Sequence, residues 1–165
     1  MRFDFLLFPN SLCLINLDLV HIFQEVFFSI STSKRIQCFG CIVTFDTVFT
    51  MSSEDLFEAH PKAMFVAPKR GIYYFQFHAL AEPGHSVKAQ LVVNDKPKAF
   101  VYDRDVSGGN NRFAMVGQSL MVPLEVGDRF YVFLDEGALK GGDISHTFTS
   151  LNGLLVASLT NRNEL

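Results

Sequence analysis

The chain has 165 residues and a formal net charge of −3, with 48% hydrophobic and only 19% charged residues. That length suits one domain with a real core. The acidic balance lacks the basic footprint of a nucleic-acid binder, and no apolar run reaches the ~18 residues of a membrane span. So low a charge content also points to surface covered by other subunits.

Residues 1–25 are apolar and carry Arg2 near the start. They read as a degenerate signal segment or as an extension ahead of the domain. A secretory signal wants an unbroken apolar stretch and a small-residue cleavage site; here Asp4, Pro9-Asn10-Ser11 and Asp18 interrupt the run. From 26 to 160 the chain becomes a series of short apolar runs separated by Gly, Pro, Asn and Asp, the spacing of an all-β sandwich. Residues 26–30 form the first predicted strand and 31–35 a polar loop. Residues 41–49 alternate as one strand, with Val43, Phe45, Thr47 and Phe49 on one face. The C-x-x-C at Cys38-Phe39-Gly40-Cys41 has no second pair and so makes a poor zinc or redox motif. It reads as two semi-buried thiols or as one local disulfide.

Residues 52–62 are polar and irregular. The block Met64-Phe65-Val66 ends a short strand, Pro68 and Gly71 bracket a turn, and a long strand follows over 71–80. Tyr73, Phe75, Phe77 and Ala79 point one way; Ile72, Tyr74, Gln76 and His78 point the other. Gly71 is expected at a positive φ, where a β-branched residue is strained. Further strands are predicted at 87–93, 98–102, 113–124, 129–134 and 147–159. Turns fall at Asn94-Asp95 and Gly127-Asp128, loops at 103–112 and 135–145, and a polar tail at 161–165. About ten antiparallel strands spaced in this way suit a jelly-roll sandwich. Its predicted core contains Tyr73, Phe75, Leu91, Val122 and Leu154.

Two strands are apolar on both faces. Tyr131 and Phe133 lie opposite Phe130 and Val132, and Met121 breaks a polar side. One core cannot cover both faces of a strand, so another copy of the chain is the expected cover, with Tyr131 and Phe133 at the interface. No catalytic constellation appears. His60, His78, His85 and His146 are scattered, no nucleophile sits in a recognisable motif, and the paired carboxylates fall in loops. No enzyme, metal or cofactor is expected.

Phe65, Pro68, Gly71, Tyr73 and Phe75 form an F-x-x-P-x-x-G-x-Y-x-F pattern. With Phe27-Phe28-Ser29-Ile30, Phe45 in the following run, Leu91-Val92-Val93-Asn94, the Gly117–Leu120–Val122–Leu124–Gly127-Asp128 spacing and Gly153-Leu154-Leu155, it resembles the globular head domain of complement component 1q. The resemblance covers about residues 26–159. The chain is a divergent relative: Lys62-Ala63-Met64 stands where the family has Gly before Phe65, Thr50-Met51 replaces an Asn, and Leu151-Asn152-Gly153 replaces Phe-x-Gly. The resemblance implies a fold shared with tumour necrosis factor, a secreted homotrimer, and an extracellular ligand: microbial-surface glycans, other pathogen-associated molecules or proteins, in an innate-immune role. It also admits a signalling ligand for a cell-surface receptor, adipokine-like or synaptic-organiser-like, and a tumour-necrosis-factor-like cytokine. Because binding groups concentrate on loops held by a rigid scaffold, Asp103, Arg104, Asp105, Lys140 and Asp143 are the candidate ligand-binding residues.

Overall fold

The computed structural model describes residues 26–58, 61–104, 113–143 and 145–159. Eleven strands follow in chain order: β1 Phe27–Ser31, β2 Ile36–Ile42, β3 Thr47–Met51, β4 Phe57–Glu58, β5 Met64–Val66, β6 Gly71–Ala81, β7 Val87–Val93, β8 Lys96–Asp103, β9 Ala114–Leu124, β10 Arg129–Leu139 and β11 Ser150–Ser158. A single 3₁₀ turn, Glu54–Leu56, interrupts them, and there is no α-helix among the described residues. Every pairing is antiparallel, as a jelly roll requires. One layer runs β3-β1-β11-β6-β9; the other is built on β10, flanked by β7 and β8 on one side and by β2 and β5 on the other. The layers join where Ala81 of β6 pairs with Leu139 of β10.

The aromatic side chains named in the sequence fill the space between them. Phe45, Phe65, Tyr73, Phe75, Phe77 and Phe130 are fully buried. The rings of Phe75 and Phe130 stack across the layers with centroids 3.7 Å apart. The Tyr73 hydroxyl satisfies itself by donating to the Lys69 carbonyl at 2.7 Å, in the turn that Pro68 opens. Burial holds the Tyr73 hydroxyl above its ordinary pKa.

The turn at Gly127-Asp128 ties three connections together. Asp128 accepts from the Glu125 amide and from Asn94 Nδ2, both at 2.8 Å, while Asn94 Oδ1 accepts from the Arg129 amide. The Ala67 amide donates to the Asp128 carbonyl and the Gly127 amide to that of Ala67. Gly127 has φ 86°. Asn94 and Asp95 take φ 48° and 60°, the mirror-image turn that matches the twist of a two-residue hairpin.

The structure corrects five expectations. Eleven strands are found among the described residues. The run 41–49 is two, since β2 ends at Ile42, the chain crosses between layers with Val43 and Phe45 buried, and β3 starts at Thr47, and β4 lies in the stretch expected to be irregular. Strand β10 runs five residues past Leu134, through a stretch that looks like a polar loop. A bulge at Asp135 absorbs the charge, its carboxylate accepting from Gln90 Nε2 at 2.7 and 2.9 Å. Leu154 is 41% exposed rather than core. The Phe28 ring occupies the space beside Gly153, where a Cβ would come within 2.4 Å of it. Gly153 therefore takes the inward position, and alternation turns Leu154 outward. Gly71 lies outside the positive-φ residues; its constraint is close approach, since a Cβ would meet Leu155 Cδ1 at 2.4 Å and the Ala157 carbonyl oxygen at 2.5 Å. Tyr131 and Phe133 form no exposed row. Tyr131 is only 9% exposed and its hydroxyl donates to Asp95 at 2.8 Å. The Phe133 ring lies under Gly40 of the unforeseen strand β2.

Candidate functional site

Two surfaces stand out. Among the described residues no group of His, Cys, Asp and Glu is placed to hold a metal ion, and no helix is long and apolar enough to cross a membrane.

The first surface is one end of the sandwich. Pairing of Val87 with Asp103, of Ala81 with Ala114 and of Ala81 with Leu139 brings the β8–β9 and β10–β11 connections to the same end. Asp103 is half-buried and Arg104 exposed; Asp105, with the rest of the 105–112 loop, lies outside the described residues. Lys140 begins the β10–β11 loop. Its ammonium lies 4.4 Å from the centre of the Phe113 ring and 4.8 Å from that of Phe148, a cation–π placement that positions the charge. Two backbone bonds brace the loop: Lys140 donates to the Leu80 carbonyl at 2.8 Å and Gly142 to that of Thr32 at 2.9 Å. Asp143 is exposed and holds the loop tip. Its Oδ1 accepts from the amides of Ser145 and His146, both at 2.7 Å, and faces His146 Nδ1 at 3.2 Å. Those amide bonds favour the charged carboxylate and lower its pKa.

The structure thus brings Asp103, Arg104, Lys140 and Asp143 to one end. Asp143 shapes the loop, and Lys140 is a held charge. The aromatic pair Phe113 and Phe148 that holds it escaped the sequence reading, because the two lie 35 positions apart in different connections and no spacing rule links them.

The second surface is the outward face of the β1-β11-β6-β9 layer. The registers align Phe27 with Leu154, Leu154 with Tyr74, and Tyr74 with Met121. One apolar row therefore crosses four strands, bordered by Ile72, Pro123 and Val156. Met121 is 64% exposed. The next row up is polar, pairing Ser29 with Asn152, Asn152 with Gln76, and Gln76 with Ser119. The placement of Ile72 and Tyr74 opposite Tyr73 and Phe75 and the odd placement of Met121 were visible in the sequence; their alignment into one row was not.

A model of the C1q domain matches residues 27–156. Among solved structures, the globular domain of a zebrafish complement 1qA protein aligns with a TM-score of 0.62 at 18% identity, covering 81% of this chain and 99% of that one. Eiger TNF from S. frugiperda aligns with a TM-score of 0.60 at 10% identity, covering 86% of this chain and 98% of that one. Murine APRIL aligns with a TM-score of 0.57 at 10% identity, covering 80% and 99%. These likenesses show the shared jelly roll, and the span of the domain match carries the assignment: the chain belongs to the C1q domain family.

Proposed function

We propose that this is a secreted, non-enzymatic recognition module that assembles as a homotrimer and binds extracellular ligands, microbial-surface glycans or proteins, through the loops at one end. The observation that carries the reading is the Phe27–Leu154–Tyr74–Met121 row. A lone molecule leaves that row in water, and further copies of the chain cover it. Further exposed apolar side chains lie outside that row: Phe100 and Tyr102 on β8, Phe113 just before β9 and Met115 within it. Two unlike apolar surfaces on one chain make a heterologous contact, which forms a ring where its rotation closes and a filament where it does not. Threefold closure is the arrangement implied by the resemblance. It points three copies of the same loops one way, so weak single sites gain avidity.

Light scattering on the full chain tests the assembly. The expected mass is three times 18.6 kDa, and Leu154→Asp drops it to one chain by placing an unpaired carboxylate in a dry contact. A wild-type monomer at tens of micromolar, independent of concentration, would sink the trimer and leave the row unexplained.

For the loops, the expected result is loss of ligand capture when Asp103, Arg104, Asp105 and Lys140 are together replaced by Ala. The loss should be roughly tenfold or more, since even one charge-assisted hydrogen bond is worth that, with the trimer mass unchanged. The readout is a glycan array alongside whole-microbe binding. Undiminished capture would move the site elsewhere. Capture of a single membrane protein, with no glycan signal, would favour the receptor-ligand reading.

A further inference from the structure

Strand β2 pairs with β10 along one edge; among the described residues no strand pairs with its other edge. Open edges invite pairing with another chain, and proteins blunt them with Lys, Pro or bulges. At the far edge of this layer β8 follows that rule with Lys96, Pro97 and Lys98. Strand β2 has neither: residues 36–44 contain no charge and no proline. What interrupts its edge is a kink. Gly40 sits at φ 72°, and Cys38 is disulfide-bonded to Cys41 with their Cα atoms 6.1 Å apart. Three residue steps of regular strand span about 10 Å, so the closed disulfide is incompatible with an extended edge. Both cysteines are partly exposed, and between them Phe39 stands 85% exposed.

We propose that the Cys38–Cys41 disulfide is a thiol-exchange site guarding this edge, and that once a dithiol opens it β2 extends and pairs antiparallel with β2 of a second copy. The strand suits self-pairing about Phe39, which sets Ile36 opposite Ile42 and meets no like charges. In the exchange, a thiolate of the dithiol attacks one cysteine sulfur, forming a mixed disulfide. The other cysteine leaves as a thiolate and takes a proton. The second thiol of the reductant then displaces the remaining cysteine and becomes half of a new disulfide. The pair gains two electrons and two protons, and the dithiol is oxidised. In an oxidising extracellular setting the closed form is the resting one.

The experiment uses the full chain with Cys13→Ser, a position outside the described residues, so that only this pair reports. Dithiothreitol is the probe; alkylation counts thiols and light scattering gives mass. The expected result is two alkylated cysteines and at least a doubling of the oxidised mass, reversed on reoxidation. Cys38→Ser with Cys41→Ser should associate without reductant, and adding Phe39→Lys should restore the oxidised mass by charging the edge. The proposal is overturned if the pair resists dithiothreitol, if reduction unfolds the domain, if the folded reduced protein keeps its mass, or if Phe39→Lys fails to reverse the association. Should the double serine variant misfold, the reduced wild-type pair decides. The readout is a ratio to the oxidised mass, so it holds whatever assembly the oxidised chain forms.

Discussion

Phe75→Ala is expected to lower the stability of the domain by about 3–5 kcal/mol, the loss of buried aromatic surface plus the cavity left behind. The side chain has no exposure. Its ring stacks on Phe130 at 3.7 Å and meets Phe65 at 5.4 Å and Tyr73 at 6.0 Å. Phe65 and Phe130 reach it from β5 and β10 of the other layer, and Tyr73 from its own strand. They are rings fixed by their own contacts, so collapse into the space is limited. For a chain of this size the melting temperature should fall by roughly 10 °C. Urea unfolding at fixed protein concentration checks it, because subunit association contributes to apparent stability. A measured loss below about 1 kcal/mol would mean that the two layers do not meet at this ring.

Gly71→Val should be comparably damaging, at about 3 kcal/mol. The cause is contact rather than backbone angle. A Cβ at this position would lie 2.4 Å from Leu155 Cδ1 and 2.5 Å from the Ala157 carbonyl oxygen. The leucine tip can rotate away. The carbonyl cannot, because β11 is held against β6 by pairing from His78 to Gly71. The steric account therefore predicts that Gly71→Asn is as harmful as Gly71→Ala, although Asn tolerates positive φ. Gly84, with φ 77° and nothing within 4 Å of a built Cβ, is the control for angle without crowding. Thermal unfolding of the set decides: Gly71→Asn close to wild type would restore the backbone explanation.

The signature block shows how far local pattern reaches. Strands β5 and β7 have the predicted bounds, 64–66 and 87–93, and β6 extends one residue past its predicted end. The turn at Asn94-Asp95 falls where expected, and both residues take positive φ. Tyr73, Phe75, Leu91 and Val122 are buried as expected. Each of these follows from side-chain alternation or turn chemistry, which neighbouring residues settle among themselves. The candidate loop residues were legible only as polar loops. That Asp103 and Lys140 share one end depends on which strands pair, and the aromatic clamp on Lys140 depends on it too.

The failures have a common origin. Leu154 is expected on the core face and Tyr131 in an exposed row, and the structure has neither, although both strands are correctly recognised. Alternation with period two says that residues 153 and 155 share a face. It does not say whether that face meets the core, and here the Phe28 ring beside Gly153 decides. Likewise β2 was invisible as a strand: its C-x-x-C and glycine read as a local feature, yet pairing with β10 makes it an element that covers Phe133. Alternation, turn chemistry and motif spacing are enough for the fold class, most strand positions, the turns and the family. The tertiary structure alone decided which apolar face is left to water, which edge is open and which loops converge. Those depend on contacts between residues tens of positions apart, and such contacts leave no periodic trace in the chain.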